Sequence, residues 1–209
     1  MSRTSPGRRR APRGDRDRRR EEILRTATEA FATRGYHKAS LAEIADRAGL
    51  TQAGVLHYFP SKADLLTGVL DLCDATAEHG GADRPRGLAF LRHLVDMARC
   101  NAGAEGVVRL HTVLSAESVT EGHPAQEYFR CRYDGLRETV AEALTEARED
   151  GEITAELDPG PVSASIVAVV DGLRVQWLLC PDAVDMAAAT AHTIGRLIGV
   201  DPFTGEEVR

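Results

Sequence analysis

Thr51, Gln52, Ala53, Gly54 and His57 gather a hydroxyl, a carboxamide and an imidazole with two very small residues in one short stretch. The apolar Val55, Leu56 and Phe59 interleave with them at helical spacing. A helix with such an outer face suits a DNA major groove, where hydrogen-bonding side chains read base edges and small residues let the backbone approach. Gln52 can pair with an adenine edge, and His57 with a guanine or a phosphate. Gly54 costs about 1 kcal/mol of helix stability relative to alanine, a cost that makes sense where close approach matters. On either side of Pro60, Tyr58 and Lys62 lie within reach of flanking phosphates, and the helix starts at Ser40 and Ser61 add uncharged amide donors. Each residue has a plainer reading: Ser40 and Ser61 as caps, Tyr58 as a core aromatic, Lys62 as a solvated charge. Their concentration in one window favours a shared nucleic-acid surface.

Other helices must hold that face in place. Ile23, Leu24, Ala27, Ala30 and Phe31 form an apolar stripe, with Glu21 and Glu22 in the first turn and Gly35 as a stop, predicting a first helix over about residues 17–34. Ser40-Leu41-Ala42-Glu43 reads as a capping box, in which the serine hydroxyl accepts from the Glu43 amide and the glutamate reaches back to the serine amide. The second helix turns Leu41, Ile44, Ala45 and Ala48 inward and ends at Gly49. Thr51 caps a third helix almost at once, so helix, tight turn and helix follow within a short span. Pro60 closes the third helix, and Ser61 with Asp64 opens a fourth that runs through Leu65, Leu66, Val69, Leu70 and Cys73 toward Glu78. The loop at 80–86 is the natural place to divide the chain. Five more helical patterns follow, and no stretch alternates strictly enough for a strand, so the class is all-α with about nine helices.

Formal charge is −6 overall, but residues 1–20 hold nine arginines against Asp15 and Asp17, while the last two-thirds of the chain is strongly acidic. One end is built to meet an anion. The plainer reading of that arm is a solvated tail. Cysteines 73, 100, 131 and 180 are far apart, with neither a C-x-x-C pair nor a zinc knuckle, which points to reduced thiols in the cytoplasm and no metal site. No apolar segment follows Arg8-Arg9-Arg10, so a secretion signal is not expected. The apolar run from Val162 to Cys180 is interrupted by Asp171, Arg174 and Gln176 and reads as a buried helix rather than a membrane span.

Leu41-Ala42-Glu43-Ile44-Ala45, then Ala48-Gly49-Leu50-Thr51, then the run from Val55-Leu56-His57-Tyr58-Phe59-Pro60 through Ser61-Lys62-Ala63-Asp64-Leu65-Leu66, resemble the DNA-binding region of the TetR family of transcriptional regulators. Ala30-Phe31, Arg34-Gly35-Tyr36 and Ser40 extend the resemblance, which is strong over about residues 20–70 and is one of helical layout beyond. It implies a homodimeric, non-enzymatic regulator that binds a palindromic operator, most often a repressor, released by a small-molecule effector. By position, Gln52, Ala53, Gly54 and His57 match base-reading sites, and Ser40, Thr51, Tyr58 and Lys62 match phosphate-holding ones. The chain departs at Leu56, where many members carry a DNA-contacting tyrosine, and at Ala53, where glycine is common. The implied division is a basic arm over 1–16, a helix-turn-helix domain over 17–62, a sensing and dimerisation domain over 63–199, and a tail over 200–209.

A helix apolar on nearly every side needs cover on two sides. Ile166, Val170 and Leu173 on the eighth helix, with Ala187, Ala191, Ile194 and Leu197 on the ninth, are the expected dimer interface. Phe90, His93, Met97, His111, Tyr128, Arg174 and Trp177 are the candidates for an effector cavity, though a histidine on an apolar face is more often a hydrogen-bonded core residue. No cofactor fingerprint is present. The fourth helix, joining Lys62 at the DNA to Cys73 at the cavity, is the expected lever of a population shift between two dimer forms. Rival readings are a regulator without a small-molecule ligand, constitutive or controlled by a protein partner, and an enzyme built on a helical bundle. A cavity filled by side chains would favour the former, and convergent acid and base groups the latter.

Overall fold

The computed structural model of the chain describes residues 13–76, 84–153, 156–206 and 208. Among them are nine helices: α1 Arg13–Lys38, α2 Leu41–Arg47, α3 Gln52–Tyr58, α4 Lys62–Thr76, α5 Gly87–Asn101, α6 Glu105–Glu117, α7 Gln126–Glu149, α8 Pro159–Leu179 and α9 Met186–Ile198. The all-α expectation holds. Helix α1 starts four residues earlier than the stripe predicts, so the end of the basic arm, 13–16, is helical, whereas residues 1–12 lie outside the described residues. So do residues 77–83, which take in the expected end of the fourth helix and most of the expected dividing loop. At the far end of α1, helical structure resumes past Gly35, whose φ of 72° and ψ of 172° break the helix without ending it.

Two apolar cores organise the molecule. The first joins α1 to α4 through Ile23, Leu24, Phe31, Ile44, Val55, Leu65 and Leu66, and it also takes in Leu110 and Leu114 from α6 and Phe129 from α7. The second packs α5, α7, α8 and α9 around Leu91, Val95, Leu144, Ile166, Ile194 and Ile198. The first four helices, the head of the molecule, are therefore not separate from the later helices, its body: α6 lies along α1, and α7 runs through both cores. Beyond α9, Gly199 in the left-handed conformation ends the helix, Val200 is buried in the second core, and the Val208 amide donates to the Gly199 carbonyl at 2.9 Å.

Helix α8 departs from the expectation of a buried helix. Only Ser163 and Ile166 are buried along it, and Leu179 is 76% exposed. By length and mean hydropathy, 1.5, α8 would suffice to cross a bilayer. One side meets α7 and α9, and the side bearing Ala164, Ala168, Val175 and Leu179 is open.

Candidate nucleic-acid interface and effector cavity

Ser40 caps α2, its hydroxyl accepting from the Glu43 amide at 3.1 Å. The return half of the expected capping box is not made, because the Glu43 carboxylate pairs instead with Arg34 of α1 at 3.0 Å. That pair stitches α2 to α1. The turn after α2 closes with the Leu50 amide donating to the Ala45 carbonyl at 2.8 Å. Thr51 then caps α3 through the Gly54 amide at 3.1 Å. Val55, 0% exposed, anchors α3 in the first core, which leaves Thr51, Gln52, Ala53 and His57 in solvent and Gly54 half-buried behind them. Ser61 accepts from the Asp64 amide at 3.1 Å and donates to the Asp64 carboxylate at 2.7 Å, a closed cap at the start of α4.

Tyr58 is half-buried against the first core, its ring edge-on to His57 at 5.6 Å. Lys62 is folded back: its ammonium lies 4.4 Å from the centre of the Tyr36 ring and 3.4 Å from the His37 carbonyl. Burial lowers its affinity for a proton, partly opposed by the Glu117 carboxylate.

Glu117, at the end of α6, was not a candidate on sequence and proves central to the joint between head and body. Its carboxylate accepts from the Tyr36 amide at 2.6 Å, just after the break at Gly35. A Cβ on Gly35 would lie 2.6 Å from the Glu117 carboxyl carbon and closer still to one of its oxygens, so only glycine admits this approach. His123, in the turn before α7, stacks edge-on against Tyr36 and His37 at 5.1 and 5.4 Å. Its Nδ1 accepts from the Ala125 amide at 3.2 Å. Its buried Nε2 finds no hydrogen-bond partner among the described residues; the Glu117 carboxylate stands 3.9 Å away. Burial pushes the imidazole below the ordinary histidine range, with Glu117 opposing and His37 adding to the shift. Proximity in the chain gave no hint of this cluster, since its members come from the end of α1, the end of α6 and the following turn.

A cavity of about 910 Å³ opens between α5, α7 and α8, touching the end of α4. Phe90, His93, Met97, Tyr128 and Arg174 line it, together with Ile166 and Val170. His111 does not, its ring lying against Phe129 at 6.3 Å. Trp177 lines a second cleft, of about 640 Å³, beside Met186 and Ala187. The polar residues of the main cavity that sequence reasoning passed over include Asp74, Arg84, Asn101, Arg132, Thr139 and Asp171. Asp171, noticed only as an interruption of an apolar run, holds Arg174 at 2.9 Å. Asp74 accepts from the Tyr128 hydroxyl at 2.8 Å. Burial and that hydrogen bond push the Tyr128 phenol well above its ordinary range.

Of the residues expected at a dimer interface, Ile166, Ala187 and Ile194 are buried within the chain itself, and Leu173, Ala191 and Leu197 pack half-buried on the same core. Val170 faces the cavity. Since α8 is apolar all round, periodicity could not distinguish its inner face from its outer one. The row left open is Ala164, Ala168, Val175 and Leu179.

Two family models match the chain: "Bacterial regulatory proteins, tetR family" over residues 23–69 and "BetI-type transcriptional repressor, C-terminal" over residues 105–198. The chain belongs to the TetR family. It is a DNA-binding transcriptional regulator, and the family is one of regulators rather than enzymes. Among relatives, this TetR-family chain is 27% identical over 175 residues to the HTH-type transcriptional regulator TtgR of Pseudomonas putida, covering 80% of this chain and 83% of the relative. Its fold matches that of a Saccharomonospora viridis transcriptional regulator in complex with choline, with a TM-score of 0.66 and 23% identity over 85% of this chain and 94% of that one. It also matches a SmeT–triclosan complex, with a TM-score of 0.69 and 17% identity over 86% of this chain and 90% of that one.

Proposed function

We propose that two copies of this TetR-family chain pair through the open sides of α8 and α9, read the two halves of a palindromic operator as a repressor, and release it when a small molecule enters the main cavity. The observation that carries the reading is the continuity of α4. Lys62 begins it beside the reading helix, and Asp74 near its other end lines the cavity. A ligand there acts on the spacing of the two heads, which must stand about 34 Å apart to engage successive turns of the major groove. To shift that equilibrium the ligand must bind one form more tightly than the other.

Several features support the reading. Gln52, Ala53 and His57 are exposed on α3 with Gly54 behind them, as base readout requires. Ser40, Thr51, Tyr58 and Lys62 border that face; Lys62 reaches a phosphate by leaving Tyr36. The apolar row of α8 calls for a partner surface, and a second copy supplies it in a protein of the cytoplasm and nucleoid. Two fold relatives are described in complex with choline and with triclosan. The cavity is open space rather than packed side chains, which favours a small-molecule effector over control without one.

Selection of duplexes from a random pool by the purified full chain tests the reading, with mass determination in solution alongside. The expected result is a palindrome bound by a dimer. Recovery of a single half-site by a monomer would overturn it.

A further inference from the structure

We infer that the effector is an amphipathic anion, a carboxylate-like head on an apolar body, whose head sits between Arg132 and Arg174. This rests on reading the cavity as an effector site and adds the chemical class. Phe90, Leu94, Met97, Leu136, Ile166 and Val170 provide an apolar wall. The polar end is out of balance. Arg132 reaches Asp74 only at 3.5 Å, on the same oxygen that already accepts from the Tyr128 hydroxyl. Arg174 is held by Asp171 through Nη1, while its buried Nε has no hydrogen-bond partner among the described residues. A guanidinium is a fork of N–H donors without an acceptor, so two guanidiniums facing two carboxylates, Asp74 shared with Tyr128 and Asp171 also engaged by the Tyr133 phenol, leave donors unfilled. Unfilled buried donors are costly, and a ligand oxygen relieves that cost.

The electrostatics agree with the geometry. Burial disfavours the charge on Arg174, Asp171 supports it, and neighbouring Arg132 opposes it again. A ligand cation would add to that repulsion, and an apolar ligand would leave the donors unfilled. Planar forks of this kind suit a carboxylate, which accepts on two oxygens at once. Arg84 stands over the Phe90 ring at 5.2 Å, with Glu142 and the Thr139 carbonyl as its partners, and gives the cavity a third guanidinium. Arg132 is also the link to the rest of the molecule. An anion on Arg132 competes with Asp74, so ligand entry and the loosening of α4 from α7 are one exchange of partners.

Decanoate, decanol and decyltrimethylammonium share an alkyl chain and differ in head charge. Calorimetric titration of the full chain with each, near neutral pH, should show decanoate binding about tenfold tighter than either of the others. Arg132→Gln and Arg174→Gln should each bring decanoate affinity down to that of decanol, and measurable decanol binding by both variants shows that the cavity still forms. Asp74→Asn removes the competing carboxylate and should tighten decanoate alone, a response that a merely structural aspartate would not give. Equal affinity for decanol, preference for the ammonium, or no binding of any of the three overturns the assignment. A chain that binds its operator but prefers the ammonium fails only this inference, whereas one that selects no duplex fails the regulator reading itself.

Discussion

Replacing Gly35 with alanine tests the joint between head and body directly. Gly35 has φ 72° and ψ 172°, a region that side-chain-bearing residues enter at a cost of about 1–3 kcal/mol. The new methyl would overlap Glu117 Oε1 and lie 2.6 Å from its carboxyl carbon. The glutamate must swing away, and the Tyr36 amide then loses its 2.6 Å charged acceptor. A hydrogen bond to a charged group contributes about 1.5–3 kcal/mol, so the two effects together come to roughly 3–5 kcal/mol. For a chain of this length each kcal/mol lowers the melting temperature by about 2–4 °C, which predicts a drop on the order of 10 °C. Scanning calorimetry of Gly35→Ala, Glu117→Ala and the double variant measures both the loss and its origin. The double variant should fall short of additivity by about 1 kcal/mol or more, because either change alone breaks the same contact. A single variant melting within about 3 °C of the parent, or strict additivity, would refute the reasoning.

Four further outcomes are expected. Gly54→Ala should raise stability by about 1 kcal/mol, since the added methyl meets nothing nearer than Thr51 Oγ1 at 3.4 Å, yet it should weaken operator binding; fluorescence anisotropy showing undiminished affinity would remove the argument for close approach. Removing residues 1–12, which contain four arginines, should weaken binding and flatten the plot of log affinity against log salt; an unchanged slope would reduce the arm to a solubility element. Leu179→Glu on the open row of α8 should yield a folded monomer by sedimentation, with stability within about 0.5 kcal/mol for the isolated subunit; a persistent dimer would place the interface elsewhere. His123 is held below its ordinary range by burial, so its neutral form stabilises the fold above pH of about 6.5, and that contribution is lost as pH falls through the lowered folded value. His123→Asn should therefore lose less stability than the parent between pH of about 7.5 and about 5, and equal losses in denaturant titrations would deny the imidazole that role.

What could be read in advance follows the physics of each element. The caps at Ser40, Thr51 and Ser61 were legible because an N-cap is a local device, a side chain bonding to an amide a few residues on. Even there, the Glu43 carboxylate went to Arg34, a neighbour in space that no spacing rule reveals. Helix α8 was recognised as lacking a polar face, but the same uniformity hid which side would line a cavity, and Ile166 and Val170 turned inward. His93 and His111 looked alike as histidines on apolar stripes. Only packing separated them, setting one in the cavity and the other against Phe129. The latch of Gly35, Glu117 and His123 was illegible because it joins the end of α1 to a segment some 81 residues further on, and rests on a half-buried carboxylate and a buried imidazole rather than on periodicity.

The participation of Leu110, Leu114 and Phe129 in the head's own core bears on how this regulator can be re-engineered. A chimaera cut after α4 would strip Leu110, Leu114 and Phe129 from the core that they share with Phe31 and Leu66. Transplanting the operator preference onto another scaffold calls for exchanging only the exposed side chains of α3, or else for carrying α6 and the first turns of α7 along with the graft.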